Sequence, residues 1–327
     1  MAVHWFPGHM HKALKEVKEV IAQVDVIIEV LDARIPYSSE NPEIAKIRGD
    51  KPCIKILNKA DLADPSILQE WQAHLSASPE VTTITSTPDD ANKSERMCKL
   101  IRESCQHKSA SVKNIKAMIM GIPNVGKSTL INAIAKRTIA KTGNEPAVTK
   151  AQQRINLGQG IILMDTPGVL WPKLANPNTG YRLAASGAVK ETAMEYDDVG
   201  FYLADYLLRA YPEQLKSRFQ LDELPDTELD FLELIALKRG ARMAGGRTNL
   251  HKICEIFVNE CQSGKLGPIC LETPAMVAEE IALMEQEALA KAAEKEARKA
   301  KFKSGSATPD KAARKEQRWE KLRSRNR

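Results

Sequence analysis

The chain has 327 residues, 43% of them hydrophobic and 28% charged, a composition that can bury a sizeable core; at ~100–200 residues per domain it should hold about two domains. The net charge of +6 is unevenly placed, because residues 291–327 carry 14 Lys/Arg and 5 Asp/Glu, leaving that segment at +9 and the remainder at −3. No run approaches the ~18 apolar residues of a membrane helix, MAVHWFPGHMHK has neither signal- nor transit-peptide layout, and six cysteines without a CxxC pair read as free thiols, so the expectation is a cytoplasmic chain with no membrane contact.

Residues 10–23 place Leu14, Val17, Val20 and Ile21 at three- and four-residue spacing, which predicts an amphipathic helix. Apolar runs of strand length follow at 24–32, 53–58, 81–86, 115–121 and 160–165. Helices are expected over 64–75, 91–106 and 127–136, the first with Asp64 as cap and Pro65 at its first position. Strands that alternate with helices and are apolar throughout predict an α/β fold, a mostly parallel sheet with helices on both faces. Chemistry then collects at the C-terminal ends of the strands. Residues 141–154 read as a polar loop.

From about 181 the pattern is helical only, in segments separated by Pro, Gly and Asp turns. The expected organisation is an α/β domain over 1–178, a smaller all-α domain over 179–275 and a tail over 276–327. Residues 278–300 have strong helix propensity. The basic end beyond them is either a solvating tail or a nucleic-acid arm.

GIPNVGKS at 121–128 matches G-x-x-x-x-G-K-[ST] and lies between a predicted strand and a predicted helix, the context that pattern requires. Gly121 and Gly126 let backbone N–H groups turn toward a β-phosphate at a helix N-terminus. Asn124, Val125, Gly126, Lys127, Ser128 and Thr129 form the candidate phosphate-binding set, with Lys127 on the β- and γ-phosphates and Ser128 on magnesium. DTPG at 165–168 ends the next strand, which places Asp165 to hold the magnesium through water and the Gly168 amide to meet the γ-phosphate. Thr149 in PAVTK is the candidate switch threonine completing the Mg2+ shell, although Thr142 lies in the same loop.

LNKAD at 57–61 has the shape of a guanine-reading loop. In Asn58, Lys59, Ala60 and Asp61, the asparagine bonds the N7 side of the base and the Asp61 carboxylate accepts from the N1 and N2 donors, a pair adenine does not offer. Ser86 and Thr87 end the following strand, where backbone amides meet the guanine carbonyl. GTP is the expected substrate.

An ordinary GTPase begins with its phosphate loop, whereas here the base-reading loop precedes it. Rotating the usual order while keeping every strand produces the order seen, so the sequence predicts a circularly permuted GTPase whose ends lie just after DTPG. With HWFPGHM (4–10), DARIP (32–36), DTPGVLWP (165–172) and KRGARMAGG (238–246), the chain resembles the ribosome-assembly GTPases of the YlqF/RbgA type over roughly residues 1–274. The resemblance implies a potassium-assisted GTPase that binds the large (50S) ribosomal subunit precursor in its GTP form, acts late in maturation and leaves after hydrolysis. Ala147 departs from the glycine usual in that family.

Val169 follows DTPG where many GTPases carry a water-orienting glutamine, and a valine cannot position water. His9 is the candidate catalytic replacement, since imidazole orients a water or accepts its proton near neutral pH. The resemblance points to the same residue, and a packing histidine is the competing reading. Asn124 resembles the asparagine that helps bind K+ in such GTPases. Lys238, Arg239, Arg242 and Arg247, around Gly240, Gly245 and Gly246, fit phosphate contacts on structured RNA or else a solvated helix end. The short link from DTPG to the helical domain predicts that nucleotide-dependent movement of that switch reorients the domain. A monomer is expected, and a regulatory GTPase with a protein partner is the alternative function.

Overall fold

The computed structural model describes residues 8–106, 114–139, 153–171, 174, 176–243 and 247–303, with side chains described for all of these but 8, 9, 11–14 and 300–303. Strands β1 (Val26–Asp32), β2 (Cys53–Asn58), β3 (Val81–Ser86), β4 (Ile115–Gly121), β5 (Gln153–Gly158) and β6 (Ile161–Asp165) form one sheet in the order β3-β2-β1-β4-β6-β5. All neighbours pair parallel except β5, which runs antiparallel beside β6. β1 is buried at every position and β2 at all but its last, as strands covered on both faces must be.

The sequence reading put residues 153–154 in a polar loop and foresaw no strand there; the structure makes them the start of β5. The signal is weak because β5 is an edge strand of which only Ile155 is buried. Gly158, Gln159 and Gly160, with φ of +80°, +53° and +75°, turn the chain into β6.

The helices are α1 (Gly8–Ile21), α2 (Pro36–Ser39), α3 (Pro42–Arg48), α4 (Pro65–Leu75), α5 (Lys93–Ser104), α6 (Lys127–Ala135), α7 (Pro177–Ser186), α8 (Tyr196–Ala210), α9 (Pro212–Phe219), α10 (Glu228–Arg239), α11 (Leu250–Gln262) and α12 (Pro274–Lys303). Their starts are written in the sequence. Asn41, Asp64 and Asn176 each accept a backbone N–H of the helix that follows, and a proline stands in the first turn of α3, α4 and α7.

Residues Met1–Val277 form one compact unit and Ala278–Arg327 a second. Within the first, one hydrophobic core runs from the sheet (Ile28, Ile56, Ile119, Leu163) through α6 (Leu130, Ile134) to Leu183, Leu203, Phe231 and Phe257. The other face of the sheet carries Ile27, Met118 and Met164 against Val17 and Ile21 of α1, the alternation a pleated strand imposes. In the second unit the described residues belong to α12 and are mostly exposed. No described helix is long and apolar enough to cross a membrane. All six cysteines are buried and free.

Candidate functional site at the C-terminal ends of the strands

Every parallel strand ends on a residue of the site. Asp32, Asn58 and Ser86 stand side by side in register at the ends of β1, β2 and β3. β4 ends at Gly121 and β6 at Asp165, which delivers the phosphate loop and DTPG to the same edge. Residues far apart in sequence are gathered because parallel strands all point their C-termini one way.

The phosphate loop is shaped by close approach. A Cβ on Gly121 would lie 2.6 Å from the carbonyl oxygen of Val30 in β1. Gly126, at φ +90°, caps α6, and a Cβ there would collide with the Asn58 amide nitrogen. Asn58 Nδ2 donates to the Val125 carbonyl at 2.8 Å, so the LNKAD loop is fastened directly to the glycine loop. Asn124, at φ +56°, donates from Nδ2 to the Gly187 carbonyl at 2.9 Å, just past α7. Ser128 is half-buried in the first turn of α6 and Thr129 is exposed.

DTPG packs on this loop. Val169 N donates to the Gly121 carbonyl at 3.2 Å, and a Cβ on Gly168 would come 3.1 Å from the backbone of Pro123. Lys127 is paired with Asp165 through Oδ1, both side chains being buried. Burial pushes the Lys127 ammonium down and the Asp165 carboxyl up, and their mutual attraction works against both shifts. Asp165 Oδ2 is buried with no hydrogen-bond partner. That oxygen and the Ser128 hydroxyl are hard donors of the kind Mg2+ takes, so the residues present fit the ion.

In the LNKAD loop, Lys59 has left-handed backbone (φ +59°) and its Nζ donates to Asp32 Oδ2 at 2.8 Å. Burial raises the Asp32 carboxyl, but the Arg34 guanidinium and the Lys59 ammonium outweigh it and hold it well below the usual carboxylate range. Ala60 lies with Asp61 in a single 3₁₀ turn, Ala60–Leu62, and Asp61 is exposed. Ser86 Oγ is buried without a hydrogen-bond partner, and the Thr87 carbonyl accepts from Lys93 Nζ at 2.7 Å.

Other sequence candidates fall differently. Thr149, with Thr142 and Ala147, lies outside the described residues. His9 is in α1 and its side chain is outside them too. Val169 is only 6% exposed and belongs to the hydrophobic core. The four basic candidates of the helical region separate into two kinds. Lys238 Nζ donates to the carbonyls of Phe219 and Gln220, and Arg239 pairs with Glu260 at 3.0 Å and lies over the Phe219 ring. Arg242 and Arg247 are exposed, and Met243 N donates to the Arg247 carbonyl at 2.8 Å.

Sequence reasoning assigned no role to the Asp32–Arg34 pair, although DARIP marks its place, nor to Glu272. The latter is fully buried, takes hydrogen bonds from Ser38 N (2.9 Å) and Ser38 Oγ (2.5 Å), and has no sequence signal.

A family model described as "50S ribosome-binding GTPase" matches residues 116–224, the stretch that holds β4, the phosphate loop and DTPG. The protein named Ribosome biogenesis GTPase A in Bacillus licheniformis is 42% identical over 280 residues, covering 84% of this chain and 99% of that protein. Its counterpart in Bacillus pumilus is 41% identical over 280 residues with the same coverage. The chain belongs to the ribosome biogenesis GTPase A family. Its fold agrees, for the GNP-bound YlqF crystal structure from T. maritima superposes with a TM-score of 0.57 at 25% identity, covering 80% of this chain and 98% of that one. As a member of this family the chain is a GTPase, and the permuted reading of the base loop, phosphate loop and switch accounts for how its sheet is threaded.

Proposed function

We propose that the chain binds GTP with Mg2+ across the C-terminal ends of β1, β2, β3, β4 and β6. It hydrolyses GTP and acts in late maturation of the large ribosomal (50S) subunit, joining the precursor in the GTP form and leaving after hydrolysis. The bond from Asn58 to the Val125 carbonyl carries this reading, since it unites a guanine-type loop and a phosphate loop that the sequence presents in reversed order.

In this scheme Asp61 accepts from the base N1 and N2 donors, and the Ser86–Thr87 strand end meets the guanine carbonyl. The phosphate-loop amides, through Thr129, and Lys127 hold the phosphates. Ser128, Asp165 and Thr149 would hold Mg2+, which would offset the negative charge developing on the phosphates. The Gly168 amide senses the γ-phosphate. The burial of Val169 keeps the residue after DTPG away from any attacking water, and His9 takes the water-orienting role. Asn124 would help hold a K+ ion, which would add positive charge at the phosphates.

Residues 1–178 are the nucleotide-binding part and 179–275 the ribosome-facing part, with exposed Arg242 and Arg247 as the first candidates for rRNA phosphate. Lys238 and Arg239 contribute through whatever donors their internal partners leave. Residues 276–327 form the tail. The protein works as a cytoplasmic monomer.

The test is GTP hydrolysis in potassium buffer, with and without purified large subunits, repeated with sodium in place of potassium. Subunits should stimulate turnover in potassium and much less in sodium. Absence of stimulation removes the ribosomal part, and stimulation that survives sodium removes the role given to Asn124. His9→Ala should lower stimulated kcat by about 10²–10⁴-fold with KM little changed, and an unchanged kcat removes His9.

A further inference from the structure

The lysine of the base-reading loop is one end of a buried chain of charges. Lys59 Nζ bonds Asp32 Oδ2 at 2.8 Å, and Arg34 grips the same carboxylate with two donors, Nε to Oδ1 at 3.0 Å and Nη2 to Oδ2 at 2.9 Å. Arg34 is 1% exposed. Its remaining donors reach the carbonyls of Cys261 (3.1 Å), Gln262 (3.3 Å) and Ser186 (3.3 Å). Ser186 ends α7 and Cys261–Gln262 end α11. Helix C-termini offer carbonyls without intrahelical donors, and the negative end of the helix dipole favours a cation there. Two helix ends therefore converge on one guanidinium, which in turn fixes the carboxylate that fixes Lys59.

Lys59 also needs holding. A non-glycine residue at φ +59° sits in a sparsely populated conformation that persists only where surroundings impose it. Asn58 before it is tied to Val125, and Lys59 itself to Asp32, so the turn that carries Asp61 is fixed on both the phosphate-loop side and the helical side.

We infer that Asp32 and Arg34 are positioning residues for guanine recognition: through Lys59 they lock the turn that presents Asp61 and make its geometry depend on the C-terminal ends of α7 and α11. This rests on the guanine-reading role proposed for Asp61. A guanidinium is required because lysine has neither the paired donors for the carboxylate nor the further donors for three carbonyls.

The test measures Kd for GDP and for IDP, which lacks the 2-amino group, on the full chain and on Arg34→Lys, alongside thermal melting. Leu203→Ala, a cavity variant in α8, serves as a control for lost stability alone. Wild type should prefer GDP, Arg34→Lys should shrink the GDP:IDP ratio by roughly tenfold, the scale of one misplaced hydrogen bond to a charged group, and Leu203→Ala should leave the ratio unchanged. A wild-type ratio retained in Arg34→Lys overturns the proposal and makes the network merely structural. No GDP preference in wild type overturns the guanine reading itself, and the proposal with it. Should Arg34→Lys fail to fold, Lys59→Met leaves the buried Asp32–Arg34 pair intact; loss of discrimination in it supports the proposal and retention overturns it.

Discussion

At the scale of single residues, the site is a set of charged groups whose protonation is governed by burial and pairing. Asp61 differs from the rest in being exposed, available to a base rather than to an internal partner. Asp61→Asn replaces two acceptor positions with a donor and an acceptor. GDP affinity should fall by at least about a hundredfold, while the new amide can donate to the C2 carbonyl of xanthine. Titration with GDP and XDP checks this, and equal loss for both would remove Asp61 from the base site. Glu29, inside β1, illustrates what burial does to a carboxyl. Burial first, and then the Glu40 carboxylate, push its carboxyl up to about 8 against the pull of Lys55. The folded chain thus keeps a proton that an ordinary carboxyl near 4.5 releases, and stability should fall as pH rises from about 4.5 to about 8. Glu29→Gln keeps the acceptor used by Asn41 N and removes the ionisation. It should melt within error of wild type at pH 5 and roughly a few °C higher at pH 8; parallel melting curves across that range would contradict the assignment.

At the scale of elements, the strand-to-helix turn of β4 and α6 depends on Gly126 more than on any side chain. Its φ of +90° and the Asn58 amide above it leave no room for a methyl group. Gly126→Ala should cost nucleotide affinity out of proportion to stability, because the displaced partner is a base-loop residue. A tenfold or larger rise in Kd for GDP, with a melting shift of only a few °C, is the expected pattern (about 1 kcal/mol for the backbone strain alone). A Kd left unchanged would show that the two loops need not touch. The strands and main helices were legible as apolar runs and capping residues, and β2, β3 and β4 fall on the residues the sequence indicates. β5 was not, since an edge strand with one buried residue has almost no hydrophobic signal. α2 and α3 escaped for a related reason, being too short for a helical period to show.

At the scale of the whole molecule, the segment after α11 straps the side of the sheet that carries the LNKAD loop. Ile269 N donates to the Leu62 carbonyl at 3.0 Å, Leu271 N to the Arg34 carbonyl at 2.8 Å, and Trp71 Nε1 to the Glu272 carbonyl at 3.0 Å. The second unit, Ala278–Arg327, has no part in these bonds. Truncation after Val277 should therefore leave melting and GDP affinity near wild type, whereas truncation after Gln262 should abolish the folded state. If the basic tail is a nucleic-acid arm, the shorter truncation will also flatten the salt dependence of rRNA binding, since fewer counterions are released. An unaltered salt slope would leave the tail as a solvating one.

The sequence by itself determined the permuted GTPase reading: GIPNVGKS, DTPG and LNKAD carry the residue types that contacts to phosphates, a metal and a guanine base require, and their order predicts the permutation. Local patterns were enough because each motif is short and its backbone demands are local. Only the tertiary structure decided how those motifs are held. That Asn58 grips Val125, that Val169 is buried, that Lys238 and Arg239 have internal partners while Arg242 and Arg247 are exposed, and that Arg34 joins two helix ends to the Asp32 carboxylate and so to Lys59 all depend on groups from 18 to 228 residues apart meeting in space. A hydrogen bond between such groups leaves no periodicity in the chain, and a buried charge looks like any other Arg, Asp or Glu until its partner is seen.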